Sequence, residues 1–399
     1  MGNKKGLFYA SCVALTVTSM TFAIRAGILN ELKVDFGLQD AQLGWVNGMA
    51  SFGFPIAMLL LGLAYNTVGP KKLMIIAFGC HLLGLIMTIF SGGFWGLILS
   101  TFAIGFANGS VEAACNPMIA DMYPDNKTTM LNKFHVWFPG GLVIGSLISY
   151  FLEDSLGWQL LIATMLVPTI IYGIMIFRLD FPKTQNLESN TKENIKAIMS
   201  SPLFWFMGIL MTLTATTELG TTQWIERIIK NDGVHPMIVL AMITGLMAIG
   251  RYFAGPLVKK FNPIGVLLLS AVISAIGLVL LSQVSGGMVY FAAMVFAIGV
   301  TYFWPTMIGF IGENLPRTGA LGMSLIGGFG MFGLTIWNPI IGNWLDTERQ
   351  LAIDMGQTLE AAELTAGKAT LDNIAVFPAI LILAFGLLFF IMKKKETES

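Results

Sequence analysis

The chain has 399 residues, 55% of them hydrophobic and only 12% charged, and its formal net charge is zero. Soluble domains carry roughly 25% charged residues, so this composition indicates an integral membrane protein. The neutral balance and the lack of a basic tract interleaved with aromatic residues argue against a nucleic-acid partner. The three cysteines, Cys12, Cys80 and Cys115, lie inside apolar segments, where we expect neither disulfide nor metal chemistry.

Apolar runs of about 20 residues predict membrane-spanning helices. The first run is too long for the apolar region of a signal peptide, and Pro, Gly and charged residues separate the runs from one another. We therefore expect an all-α integral membrane protein with twelve transmembrane helices. The predicted spans are 7–29, 41–64, 71–91, 95–122, 130–152, 157–177, 203–228, 237–258, 263–283, 287–312, 319–345 and 372–392.

The two halves of the chain resemble each other. Gly62–Pro70 aligns with Gly255–Pro263 at an offset of 193 residues, and 103–105 recurs as 297–299. Such a repeat predicts two pseudosymmetric six-helix bundles with a binding site between them near the midplane. The alternative is a likeness of composition only. The predicted units are residues 1–177, a cytoplasmic linker at 178–202, and residues 203–399.

Lys and Arg residues predict the orientation, because cytoplasmic loops carry the excess. Sixteen of them fall on the side of the N-terminus and five on the other, so both termini are predicted to be cytoplasmic. The short loops favour a bacterial inner (plasma) membrane, and we expect a monomer in the lipid bilayer. The linker is expected to hold a short surface helix. The segment 346–371 is predicted to be the longest outer loop and to fold as a helix on the membrane face or a partial lid, and the alternative is simply a solvated acidic face.

Glu112 lies in the middle of the fourth predicted span, ahead of Asn116-Pro117. A charged group at that depth costs roughly 3 kcal/mol or more, so membrane proteins that keep one usually use it for a proton, an ion or a polar solute. This predicts a transporter whose coupling ion is the proton and which needs no cofactor. A structural carboxylate bonded to a neighbouring helix is the alternative. The Asn116-Pro117 pair also frees a backbone carbonyl that could line a cavity.

His135, in the fifth span, is predicted to share a proton with Glu112, since the ordinary pKa of histidine is about 6.5. A structural hydrogen-bond donor is the alternative, and we expect that role for His81. Arg25 and Glu218 lie 193 residues apart, the offset of the repeat. We expect them to face each other and to pair when the outer side closes, as an outer gate or a substrate clamp. The alternative is that each pairs with other residues inside its own bundle or snorkels to the interface. An arginine also fits a carboxylate, so an acidic sugar or organic anion is a second class of substrate.

The six-plus-six layout and the loop after the second span resemble the major facilitator superfamily. Within it, Glu112–Pro117 (Glu-Ala-Ala-Cys-Asn-Pro), Pro124, Leu131-Asn132 and a glycine-rich fifth helix are similar to the fucose and glucose/galactose permeases. The resemblance implies the major facilitator fold, alternating access, and import of a monosaccharide or sugar derivative by proton symport.

Four positions depart from that family pattern. Tyr65 and Asn66 stand where facilitators usually carry Asp and Arg in the 2–3 loop. Ala26 stands where the fucose permeases carry an aspartate, and Phe138 stands near the place of an asparagine for the sugar. The substrate can therefore differ from fucose.

Sugars are bound by amide groups and an aromatic face set in an apolar pocket. By the family pattern, the predicted substrate-binding residues are Asn108, Asn116, Gln223, Trp224, Trp304, Trp337 and Asn338. Any single aromatic residue among them is otherwise explained by packing or by the interfacial belt.

The sequence is also compatible with rival functions. An exporter or antiporter of organic anions or drugs is the rival within transport, and a receptor that no longer moves solute is the rival outside it. The sequence has no nucleotide-binding loop, metal-ligand cluster or paired nucleophile and base, which argues against an enzyme or an ATP-driven pump.

Overall fold

The computed structural model describes residues 4–38, 40–152, 157–181, 191–229 and 232–398, and every regular element in them is helical. The helices of the first half and the linker are α1 (Lys4–Phe36), α2 (Asp40–Val68), α3 (Pro70–Ile89), α4 (Phe94–Met122), α5 (Lys127–Phe134), α6 (Trp137–Leu152), α7 (Trp158–Thr164), α8 (Leu166–Arg178) and α9 (Thr191–Met199). Those of the second half are α10 (Pro202–Ala215), α11 (Thr221–Ile228), α12 (Pro236–Tyr252), α13 (Ala254–Gln283), α14 (Met288–Val300), α15 (Phe303–Asn314), α16 (Gly319–Asp354) and α17 (Leu359–Glu398).

Ten helical stretches among the described residues are long and apolar enough to cross a membrane. The two other predicted spans are shorter helices. The chain breaks between α5 and α6 and leaves 16 residues in α6, and α12 has 17 residues. Helix length and hydropathy therefore support ten of the twelve predicted spans.

Two polar segments differ in how well the sequence predicts them. The outer segment 346–371 is mostly helical, as expected, but it does not form a separate surface helix, because α16 continues to Asp354 and α17 begins at Leu359. Both helices project past their apolar portions, so the acidic residues lie on helical extensions. In the linker, residues 182–190 lie outside the described residues, and the expected short helix is α9.

Like Pro117 in α4, two further prolines in the middle of the bundle each free a backbone carbonyl. Pro139 follows the break between α5 and α6, and Pro305 lies in the first turn of α15. Proline has no N–H, so the carbonyl four residues earlier loses its helical donor. The freed carbonyls belong to His135 and Thr301. His135 O keeps one contact within its own segment, a long 3.4 Å bond from Phe138 N.

A wide turn interrupts the first helix of the second half. The residues between α10 and α11, Thr216–Gly220, form a π-helix that contains Glu218. Such π turns occur mostly as single-turn insertions, frequently at functional sites. Here the insertion lies halfway along a predicted span.

Glycines allow the helices to cross closely at equivalent places in the two halves. Gly84 of α3 packs against Ile104 and Ser100 of α4, and Gly277 of α13 packs against Phe296 of α14. The two glycines are 193 residues apart, the offset of the sequence repeat. Close crossings through small residues are typical of membrane bundles.

Candidate functional site

Arg251 is the centre of a buried polar cluster in which the two halves meet. Its Nη2 donates to Glu218 Oε1 at 2.6 Å, and both side chains are at most 2% exposed. Its Nε donates to the freed carbonyl of Thr301 at 2.7 Å, and its Nη1 donates to the freed carbonyl of His135 at 3.1 Å. His135 belongs to the first half, and the other residues belong to the second. One guanidinium therefore binds two proline-freed carbonyls, one from each half.

Glu112 lies beside this contact, in a second part of the same cluster. Asn116 Nδ2 donates to Glu112 Oε2 at 2.6 Å, and Asn116 Oδ1 lies 3.1 Å from His135 Nε2. Because that amide oxygen can only accept, this contact is a hydrogen bond in the tautomer of His135 that carries a proton on Nε2. The same ring nitrogen is 3.7 Å from Glu112 Oε2. Glu112, Asn116 and His135 are thus brought together, and a backbone carbonyl joins them to Arg251.

Trp304 contributes to the cluster from the second half. It lies on α15, which packs against α4, the helix that carries Glu112. The indole ring packs where Gly330 and Gly327 of α16 leave room for it. The helix of Glu112 therefore packs against the second half, which makes its environment sensitive to the relative position of the halves.

The structure does not pair Arg25 with Glu218. Glu218 binds Arg251, whereas Arg25 Nε donates to Asn47 Oδ1 at 2.9 Å. The cross-bundle pair, which is expected only when the outer side closes, is absent from this conformation, and Glu218 instead pairs inside its own half, which was the alternative. The physical reason is that Arg251 lies on a helix adjacent to Glu218 within its own half, and a buried carboxylate is stabilised by the nearest cation.

Asn108 belongs to a cluster inside the first half. Its Oδ1 is 2.8 Å from His81 Nε2, and its Nδ2 donates to Thr21 at 3.0 Å. The other His81 nitrogen is 2.8 Å from the Tyr172 hydroxyl. His81 thus has the structural contacts that were expected for it, and the Asn108 amide contacts protein groups rather than an open cavity.

The remaining predicted residues form a separate group between α11 and α16. Asn338 Nδ2 donates to Gln223 Oε1 at 2.9 Å, and Trp224 Nε1 donates to Asn338 Oδ1 at 3.3 Å. Trp337 instead packs on the ring of Phe377, with centroids 4.6 Å apart. The structure brings Gln223, Trp224 and Asn338 together and keeps them apart from Glu112.

The two halves also meet at the end of the bundle where α1 begins, which we call the terminal face. Glu313 Oε1 accepts from the Thr128 backbone N–H at 2.9 Å and from its hydroxyl at 2.7 Å. In return, Lys127 Nζ donates to Gly312 O at 3.0 Å. A carboxylate from the second half thus caps the N-terminus of α5, and a lysine from the first half caps the C-terminus of α15. Both charges complement the helix dipoles.

The linker helix joins this closure. Asn194 of α9, which is buried, accepts from Asn66 Nδ2 at 2.7 Å and donates to Arg317 O at 2.9 Å. Asn66 lies at the end of α2, at one of the positions that depart from the family pattern. An amide bond to the linker is therefore present where a charged relay is usual. The bonds of Lys127, Thr128, Asn66 and Asn194 close the terminal face.

A sequence model of the Major Facilitator Superfamily matches residues 10–338. The chain belongs to the Major Facilitator Superfamily. Members of this superfamily are transporters, so this facilitator is a membrane transporter and not an enzyme.

A candidate niacin/nicotinamide transporter of Bacillus subtilis is 24% identical over 185 residues, which cover 45% of this chain and 46% of that protein. A D-xylose transporter of Levilactobacillus brevis is 23% identical over 148 residues, covering 37% and 32%. The chain thus spans less than half the length of these two relatives.

Solved structures agree on the fold. The fucose:proton symporter FucP of E. coli has a TM-score of 0.71 at 17% identity, covering 94% of this chain and 98% of its own. The human organic anion transporter MFSD10 has a TM-score of 0.74 at 12% identity, covering 96% and 100%. The resemblance to sugar symporters predicted from the sequence is confirmed.

Two parts of the site were missed by the sequence analysis. Arg251 was left without a role, although a charge inside a predicted span is itself a signal of function. In the sequence, Pro139 and Pro305 show which carbonyls lack a helical donor. They do not show which side chain donates to those carbonyls. The contact of Glu313 with Thr128 has no local signal, because its partners are 185 residues apart.

The first prediction concerns the closure of the terminal face. Glu313→Ala removes the cap of α5 and should shift the protein toward conformations open at this face. Ser324 is buried there against Gly62. In a cysteine-free background carrying Ser324→Cys, N-ethylmaleimide should modify the introduced thiol several-fold faster when Glu313→Ala is present. Asn314→Ala is the control, since its amide bonds only Phe310 O in its own helix. Equal rates in all variants would contradict this role of Glu313.

The second prediction concerns the buried ion pair. Glu218→Gln leaves Arg251 buried and charged without a counter-ion, and removal of one partner of such a pair costs about 3–5 kcal/mol. The double substitution Arg251→Met/Glu218→Gln removes both charges. We expect the melting temperature of the purified protein to fall most in Glu218→Gln and to recover partly in the double variant. Additive losses would argue against a coupled pair.

Proposed function

We propose that this facilitator imports a monosaccharide or sugar derivative together with protons, by alternating access. The observation that supports it most is the position of Glu112. Its buried carboxylate is joined through Asn116 to His135, on a helix that packs against α15 of the other half. A carboxyl group in that place can bind a proton in one arrangement of the halves and release it in another.

The proposal includes the membrane arrangement. Twelve passes in two six-helix halves, 1–177 and 203–399, place α5 with α6 as one pass and α12 as another. The excess of Lys and Arg at the terminal face supports a cytoplasmic terminal face in a bacterial inner membrane. Because the halves are joined at that face and at Arg251, solute would reach the site from the opposite, outer side.

A transport cycle follows from these contacts. Solute and a proton bind while the terminal face is closed, and Glu112 takes the proton. The neutral carboxyl group no longer needs the same polar partners, so the halves can move with less electrostatic cost. Release on the cytoplasmic side requires the contacts of Arg251 with His135 and of Glu313 with Thr128 to break.

The relatives support a small polar solute. One is named for niacin and nicotinamide and another for D-xylose, and a structural neighbour is a fucose:proton symporter. Gln223 and Asn338 offer amide groups and Trp224 an aromatic ring, the kinds of groups that bind sugars. We propose this trio as the sugar-contacting surface of the second half.

The test uses purified protein in liposomes. With an imposed proton gradient, the wild type should accumulate one of a panel of neutral sugars and sugar acids and should acidify the lumen. Glu112→Gln should lose accumulation and acidification, because an amide cannot carry the proton. It should keep solute exchange, which needs no net proton movement. Glu193→Gln, at an exposed position of α9, is the matched control.

Two results would contradict the proposal. Accumulation by Glu112→Gln at the wild-type level would remove the proton role of Glu112. Solute uptake without acidification in the wild type would remove proton symport altogether. His135→Gln separates the roles within the cluster, since loss of coupling there with exchange intact would show that the imidazole takes part in proton transfer.

A further inference from the structure

Arg25 is a buried cation that lacks a counter-ion among the described residues. Its side chain on α1 is 7% exposed, and its Nε donates to Asn47. The guanidinium lies over the ring of Phe22 at 5.2 Å from the centroid. Its Nη1 is buried and has no hydrogen-bond partner. A buried arginine stays charged, and without an anion that burial is costly.

The repeat explains why the counter-ion is missing. Arg25 corresponds to Glu218 at the offset of 193 residues, and at the same offset Arg251 corresponds to Met58. In the second half, the buried charge on the first helix is neutralised by the opposite charge on the next helix. In the first half, methionine occupies the neutralising position. The first half therefore keeps the charge and lacks its partner.

Arg25 lines a small cavity inside its own bundle, and through Asn47 it also reaches the side that faces the other half. Asn47 is exposed and lies eleven residues, or about three helical turns, before Met58 on α2. Met58 and Gly62 of the same stripe pack against α16 of the second half. Asn47 therefore lies on the same face of α2 as Met58 and Gly62, and that face is directed toward the second half. It is farther from the terminal face than they are.

Arg25 is also close to the proton site. Thr21, one turn away on α1, accepts a bond from Asn108, which lies one turn from Glu112 on α4. The two charged groups are therefore separated by about two helical turns, roughly 11 Å along the bundle. A small solute can span much of that distance.

We propose that Arg25 binds the negative charge of the solute, so that the substrate is a small organic monocarboxylate such as a sugar acid. This rests on the proposed function and narrows its substrate class. The arginine fork matches a carboxylate with two parallel hydrogen bonds, and the buried Nη1, which has no partner among the described residues, becomes available for one of them when the side chain turns toward the solute. Import of one anion with one proton moves no net charge, so transport should not depend on membrane potential.

Binding to the purified, full-length protein tests the inference with two matched pairs of probes. Galacturonate is compared with galactose, and nicotinate with nicotinamide, by isothermal titration. We expect the wild type to bind at least one acid about tenfold or more tightly than its neutral twin. Arg25→Gln should lose that preference and Arg25→Lys should keep part of it. Arg349→Gln, which alters an exposed pair with Asp346, should leave it unchanged.

The outcomes separate this inference from the transport proposal. If the wild type binds neither acid, or binds acid and neutral twin equally, the anion site is overturned even where a neutral sugar is transported. Retention of the preference by Arg25→Gln overturns it as well. Should Arg25→Gln fail to fold, the wild-type comparison still decides. Preferential binding of an acid without flux in liposomes would keep the anion site and contradict transport.

Discussion

The fold depends on the need of backbone carbonyls inside a membrane to find a donor. Pro139 and Pro305 each free one carbonyl in mid-bundle, and there is no water in the hydrocarbon core to satisfy them. Arg251 meets both needs at once and neutralises its own charge on Glu218. The guanidinium that bonds Thr301 and Glu218 within the second half therefore also bonds that half to His135 of the first.

Because of this contact, any change in the relative position of the two halves also changes the electrostatic environment of the buried cluster. His135 lies between Arg251 and the Asn116–Glu112 pair, so a movement that breaks the bond to its carbonyl also disturbs the environment of Glu112. At the terminal face, the bonds of Glu313 with Thr128 and of Lys127 with Gly312 add a second set of charge-assisted bonds across the same interface. Both sets of bonds hold the halves in one arrangement. Each set contains a few bonds, so a movement of one half relative to the other can break it.

Hydropathy and charge predicted most of the architecture, because a membrane helix satisfies its backbone hydrogen bonds internally and appears in the sequence as an apolar run. The rule for buried charges also found Glu112, Glu218 and Arg25. Pairing was harder to predict, since the partner of Glu218 is decided by helix packing rather than by the symmetry of the repeat. A helix in segment 346–371 was predicted, but its continuity with α16 and α17 was not, because its mixed composition gives no apolar run.

The most direct test of the account measures the distance between the halves at the terminal face. Spin labels at Lys72→Cys and Lys259→Cys, both exposed positions, report that distance by pulsed electron resonance in a cysteine-free background. The account predicts that Arg251→Met/Glu218→Gln, which is neutral overall, increases the population with long distances. An unchanged distance distribution in that folded variant would contradict the claim that Arg251 holds the two halves together.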